Sequence, residues 1–155
     1  MKRMINFLPE LLIAAAAFGL WLYGPIAQLP HYHEFAEQRV LLGIPDGADV
    51  LSNFGFAIVG LWGLYRLWPV QREPQLARGW PGYLLFLIAL VLTAVGSSFY
   101  HLHPDNSRLV WDRLPIALAC AGLLAAVCSE SRPSIDGRAT AMLLSLAAMT
   151  VQGLH

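Results

Sequence analysis

Three side chains with catalytic potential lie close together between residues 96 and 115. Ser97 and His101 are four residues apart, so on a helix they share one face and are separated by about one turn. Asp112 follows in the next apolar segment. An imidazole can bind zinc, a carboxylate can take a proton from metal-bound water, and a hydroxyl can hydrogen-bond an oxyanion. The three residue types together indicate a hydrolytic site.

Each of these residues also has a purely structural interpretation. Ser97 would bond back to its own helix, and His101 would be a polar tip at the membrane boundary. Asp112 would form a surface ion pair with Arg113. Polar residues at helix ends are common, whereas ionisable groups inside a membrane are functional by default. The residues alone leave both interpretations open.

A second polar group, at residues 46–53, leads into another apolar segment. Asp46 or Asp49 would cap the helix that follows, because the helix dipole favours a negative charge at that end. Ser52 and Asn53 are interpreted as structural polar residues. Asn53 lies about a turn inside the apolar segment, so its amide requires an interhelical partner or a ligand.

The loop before this group carries histidines and acidic residues at positions 31–37. Glu34 and Glu37 offer the hard oxygen ligands that calcium prefers, whereas His31 and His33 offer the nitrogens that softer metals prefer. A solvated acidic loop fits the same spacing equally well.

Long apolar runs must position these groups, because 57% of the residues are hydrophobic and only 13% are charged. A helix needs roughly 17 to 25 apolar residues to cross a bilayer. The backbone must also satisfy its own hydrogen bonds there, which favours helices. The predicted helices lie near residues 8–28, 50–68, 82–101, 112–129 and 138–154. The sequence therefore predicts an all-α, polytopic transmembrane bundle of about five helices in a single membrane domain, residues 1–155.

The distribution of basic residues predicts the orientation of this bundle. One set of alternate loops carries most of them: Lys2, Arg3, Arg66, Arg72, Arg78, Arg132 and Arg138. The other set has Arg39, Arg108 and Arg113. We therefore expect a cytoplasmic N-terminus and a polar site on the non-cytoplasmic side. The basic start also fits a signal peptide, but the long apolar run favours a retained helix. Zero net charge without a basic tract argues against nucleic acid as a partner.

Two segments together resemble the alkaline ceramidase family. They are Ala-Asp-Val-Leu-Ser-Asn at residues 48–53, and the stretch with Ser97, His101 and Leu-Val-Trp-Asp-Arg-Leu-Pro at residues 109–115. The resemblance extends from about residue 32 to residue 115. Members of the family are seven-helix membrane amidases that hydrolyse ceramides to a sphingoid base and a fatty acid, using zinc held by three histidines.

The resemblance implies a role for each matching residue. His101 would be a zinc ligand, Ser97 would support the zinc site or the oxyanion, and Asp112 would handle protons. The implied partner is a ceramide-like membrane lipid, and the implied cofactors are zinc and, at a second site, calcium. The calcium ligands implied by position are Glu34, Glu37 and Asp46.

Two departures from the family pattern affect this prediction. The first predicted helix would be an addition at the front of a partial seven-helix bundle, as in bacterial relatives, which implies a bacterial inner membrane. The second and third zinc histidines, expected as His-x-x-x-His, have no counterpart here, and His155 is a poor substitute. A zinc site needs three protein ligands. We therefore expect either a C-terminally truncated member or one that has lost the chemistry.

Two other functions compete with the hydrolase. A non-catalytic lipid-binding or receptor-like membrane protein could use the same helical scaffold. A serine–histidine hydrolase is disfavoured, because Ser97 and His101 lie on one helix and no Gly-x-Ser-x-Gly turn is present.

Overall fold

The computed structural model describes residues 8–24, 31–33, 39–132 and 137–152, and its regular structure in these ranges is helical. The helices are α1 (Leu8–Tyr23), α2 (Gly47–Ser52), α3 (Phe54–Leu67), α4 (Trp80–His101), α5 (Asn106–Ser131) and α6 (Gly137–Gln152). A 3-10 turn, Trp68–Val70, extends α3. Because α2 and α3 form one apolar rod interrupted at Asn53, the described chain contains five rods. This confirms the predicted all-α class and helix number.

Three of these rods are long and apolar enough to cross a membrane: Gly47–Val70, Trp80–His101 and Asn106–Ser131, of 24, 22 and 26 residues. Many of their large apolar side chains also face outward. Trp62 on α3, for example, keeps 63% of its surface exposed. An apolar exterior of this kind is what lipid covers, so the fold is compatible with an integral membrane protein.

Helix α1 ends earlier than the sequence predicts, at Tyr23 rather than near residue 28. Gly24 adopts a left-handed backbone with φ 84°, and its N–H donates to the carbonyl of Leu20 at 3.1 Å. Proline follows in the sequence. Glycine in this conformation followed by proline is a common helix stop. The apolar run therefore continues past the end of its helix.

Helix α5 begins at Asn106, six residues before the predicted start at 112. The extended residue Asp105 caps it, and its carboxylate accepts a hydrogen bond from the backbone N–H of Arg108 at 2.9 Å. Polar residues therefore form the first turn of α5, which brings Asn106 to the end of α4.

Small residues allow α4, α5 and α6 to pack closely. A Cβ on Gly122 of α5 would lie 2.6 Å from the backbone nitrogen of Phe86 on α4. On its other side, α5 packs Ala121 and Ala125 against Leu144 of α6. Helix α5 is therefore the central element, and its contact with α4 fixes the relative positions of their ends.

Candidate functional site

Polar side chains from four segments meet at the C-terminal end of α4. We call this group the polar cluster; its members are His33, Asp49, Asn53, Ser98, Tyr100, His101 and Asn106. They come from residues 31–33, from α2 and the break after it, from α4, and from the first turn of α5. The two segments that carry the family resemblance both contribute to it.

His101 and Asp49 form the charged centre of the polar cluster. The His101 Nδ1 atom lies 3.6 Å from Asp49 Oδ2 and is shielded from solvent. This separation is longer than a direct hydrogen bond and corresponds to an electrostatic contact. A carboxylate on one side of an imidazole influences which ring nitrogen carries the proton.

A tight turn orients α2 so that Asp49 reaches this position. Leu41 and Ile44 exchange backbone hydrogen bonds of 3.0 Å around Gly43, whose φ is 79°. Asp46 then adopts a left-handed backbone with φ 45° and becomes the N-cap residue of α2 without a side-chain cap bond. Aspartate tolerates this conformation better than most residues. The predicted capping role thus falls on Asp46, and Asp49 is left to face His101.

Asn53 fastens the break between α2 and α3 to α4. Its side chain is only 5% exposed, and its Nδ2 donates to Ser98 Oγ at 3.3 Å. This is an interhelical partner of the kind that the sequence requires for a buried amide. Ser52 instead donates locally, to the Asp49 carbonyl at 2.8 Å. The bond from Asn53 holds the rod against α4 about one turn before His101.

Ser97 and Asp112 lie beside the closest approach of α4 and α5. A Cβ on Gly96 would collide with the carbonyl oxygen of Trp111. Ser97 and Asp112 each follow one of these contact residues in the sequence, which puts them at a similar level on neighbouring helices. Ser97 is buried and Asp112 is half-buried.

His33 belongs to the polar cluster as a structural bridge. Its Nε2 lies 2.7 Å from Asn106 Oδ1, and its Nδ1 lies 2.9 Å from the Tyr100 hydroxyl. Because an amide oxygen only accepts, Nε2 carries the proton and Nδ1 accepts from the tyrosine. Tyr100 is only 2% exposed. In the sequence, His33 offers a potential metal ligand, whereas Tyr100 and Asn106 carry no signal of a role in the site.

A second contact fixes the same short segment to α5. Arg113 Nη2 donates to the Tyr32 hydroxyl at 2.6 Å, and its guanidinium carbon lies 4.9 Å from the centre of the Tyr32 ring. Arginine combines a hydrogen bond and a cation–π contact in this geometry. Residues 31–33 are therefore held over the ends of both α4 and α5.

The remaining histidine near the polar cluster has a different environment. The His103 side chain is 74% exposed, against 18% for His101, and its Nδ1 lies 3.8 Å from Asp105 Oδ2. The pKa of Asp105 is lowered chiefly by a hydrogen bond from the Ser107 hydroxyl and then by the Arg108 N–H. His103 thus lies at the surface next to an ionised cap.

The described residues do not gather a complete metal site. Within them, no group of three or more histidine, cysteine, aspartate or glutamate side chains is arranged to hold an ion. Glu34, Glu37 and His155 lie outside the described residues. His101 is thus the one predicted zinc ligand that the described part of the chain contains, and it does not fit a three-ligand site by itself.

Comparisons of the chain with protein-family models, with curated proteins and with solved structures found no match. The chemistry of the polar cluster and of the residues around it is therefore the basis for a functional proposal.

Proposed function

We propose that the chain is a ceramidase-like membrane hydrolase, with ceramide or a related long-chain lipid amide as its substrate. The observation that carries the proposal is the contact between Asp49 and His101. These residues belong to the two segments that resemble alkaline ceramidases, and the segments are distant in the sequence. A shared site would require these two segments to meet, as they do at this contact.

The surroundings of the polar cluster support a lipid substrate. The polar cluster lies at the end of α4, a helix that is apolar enough to cross a membrane. A lipid amide would keep its acyl chain beside the apolar helices and its polar group at this level. We further propose a bacterial inner membrane, with the N-terminus in the cytoplasm and the polar cluster on the opposite side.

Amide hydrolysis needs a group that moves protons and a donor for the carbonyl oxygen. We assign proton transfer to Asp112, which would accept a proton from the attacking water and return it to the leaving amine. Ser97 would donate to the developing oxyanion. His101 would serve as a ligand or base, in the orientation that its contact with Asp49 gives it.

A zinc-dependent site would need ligands in addition to His101. At least one of them would have to come from residues beyond the described ranges, because the described residues form no group of three. Calcium, if bound, would be held by Glu34, Glu37 and Asp46, of which only Asp46 is described. The steps open to the described residues are proton transfer and hydrogen bonding.

A non-catalytic lipid-binding or receptor-like protein is the second candidate. Its apolar, outward-facing helices would bind lipid without any further chemistry. It predicts lipid binding without turnover, and it predicts that replacing His101 changes neither bound metal nor lipid composition.

The two candidates differ in fatty-acid release. The chain is purified, reconstituted in phospholipid vesicles with a fluorescent ceramide, and assayed with added zinc or with EDTA, while bound metal is measured by mass spectrometry. We expect fatty-acid release that is lost in His101→Ala and Asp112→Asn and retained in His103→Ala, the matched exposed histidine. Ceramide binding without release, in protein that carries zinc, would refute the hydrolase and support the second candidate.

A further inference from the structure

We propose that Asp49 is a positioning residue for His101 and that its carboxylate favours, in the neutral form of the imidazole, the tautomer with the proton on Nδ1. The basic lone pair then resides on Nε2. The geometry around the His101 ring supports this tautomer. Its catalytic role rests on the proposed hydrolase, in which Nε2 would be the ligand or base.

The local geometry favours one tautomer strongly. Asp49 Oδ2 lies 3.6 Å from Nδ1, which is shielded from solvent. A lone pair on Nδ1 would face a negative charge, whereas an N–H there would be attracted to it. Coulomb interactions are weakened less by solvent at shielded sites than in bulk water. The carboxylate therefore stabilises the Nδ1–H form.

Packing limits the ring to this arrangement. The ring of Tyr100 meets that of His101 edge to face, with 5.3 Å between the ring centres. Tyr100 is itself held by the hydrogen bond from its hydroxyl to His33. Rotation of the imidazole away from Asp49 would have to disturb a buried aromatic side chain.

The chain also fixes the carboxylate. Helix α2 is only six residues long, and it is bounded by the left-handed residue Asp46 and by Asn53, which is bonded to Ser98 on α4. Both constraints hold α2 against α4. This short helix, bonded to α4 at its C-terminal end, keeps the partly exposed Asp49 carboxylate opposite His101.

Nitrogen NMR of the ring atoms tests the tautomer directly. The full chain is labelled with ¹⁵N-histidine and studied in lipid nanodiscs at neutral pH, and the His101 signals are assigned from a His101→Gln sample. We expect the wild-type ring, in its neutral form, to have a protonated Nδ1 and an unprotonated Nε2. A wild-type His101 with the proton on Nε2 would overturn the proposal.

Variants separate positioning from general damage to the fold. Asp49→Leu should shift His101 toward the Nε2–H form, Asp49→Glu should restore the Nδ1–H form at least in part, and Asp46→Asn, in the same turn, should leave it unchanged. The His33 signals report on folding of the polar cluster, because Asn106 and Tyr100 both hold that ring. If Asp49→Leu also alters the His33 signals, the isosteric variant Asp49→Asn tests the role of the charge instead. An unchanged His101 tautomer in Asp49→Asn would refute that role.

The result does not depend on catalysis. Loss of the Nδ1–H form in the Asp49 variants, in a protein without amidase activity, would support positioning and count only against the hydrolase. A fully active enzyme in which the Asp49 variants leave the His101 tautomer unchanged would support the hydrolase and count only against positioning.

Discussion

Gly96 of α4 lies directly against the carbonyl oxygen of Trp111 on α5, with no room for a Cβ between them. The contact sets the separation of the helices that carry Ser97 and Asp112. Gly96→Ala should therefore destabilise the fold, because overpacking a close contact costs about 1–3 kcal/mol. The measurement is loss of helical circular dichroism on heating in detergent.

Gly55→Ala is the matched control for this substitution. A Cβ at Gly55 on α3 meets nothing within 4 Å, and alanine is the better helix former by roughly 1 kcal/mol. It should unfold at the same temperature as the wild type or higher. Equal stability of the two alanine variants would show that α4 and α5 do not depend on this contact.

The cap at Asp105 should make α5 sensitive to acid. The pKa of Asp105 is held below its usual 3.8 by hydrogen bonds from Ser107 and from the Arg108 backbone. Since the folded pKa is lower than the unfolded one, the stabilisation is present above 3.8 and is lost as the pH falls through the folded value. Wild type should therefore lose stability on acidification.

Two variants isolate this effect. Asp105→Asn keeps a good N-cap side chain but does not titrate, so its stability advantage or deficit relative to the wild type should change only in acid. Asp105→Ala removes the cap and should be less stable than the wild type at neutral pH. Parallel stability curves for wild type and Asp105→Asn down to the acid limit would contradict the assigned pKa direction.

The sequence was sufficient for the class of fold. Span length, the scarcity of charge and the need for internal backbone hydrogen bonds leave helices as the available solution. The ends of the helices were harder to predict, because apolar periodicity holds no information about the residues that cap a helix. At Gly24, α1 ends several residues earlier than predicted, and after Asp105, α5 begins several residues earlier than predicted.

The arrangement of the candidate site was less accessible from the sequence. Ser97, His101 and Asp112 could be selected from residue type and spacing. Asp49 could not be selected in this way as a partner of His101, because their contact depends on the left-handed turn at Asp46 that orients α2. Tyr100 gave no signal either, since a tyrosine at a helix end ordinarily marks a membrane interface.

The bridge from His33 to Tyr100 should appear as a coupling energy. A double-mutant cycle with His33→Leu and Tyr100→Phe removes the 2.9 Å bond in each single variant. We expect a coupling of about 0.5–1.5 kcal/mol, the usual net value of a hydrogen bond. His103→Leu replaces His33→Leu in the control cycle and should be additive with Tyr100→Phe, because His103 is largely exposed. Coupling of the same size in both cycles would rule out a specific bridge.

The hydrogen bond from Asn53 to Ser98 should contribute a smaller coupling, because polar contacts between membrane helices average about 0.6 kcal/mol. Asn53→Ala and Ser98→Ala are compared singly and together by unfolding in detergent. Ser52→Ala is the matched neighbour: its hydroxyl bonds only to the Asp49 carbonyl in the contacts described above, so it should be additive with Ser98→Ala. Because Asn53 also anchors α2, Asn53→Ala should increase amide hydrogen exchange in residues 47–52 relative to Ser52→Ala. Unchanged exchange there would mean that the turn at Asp46 holds α2 without the interhelical bond.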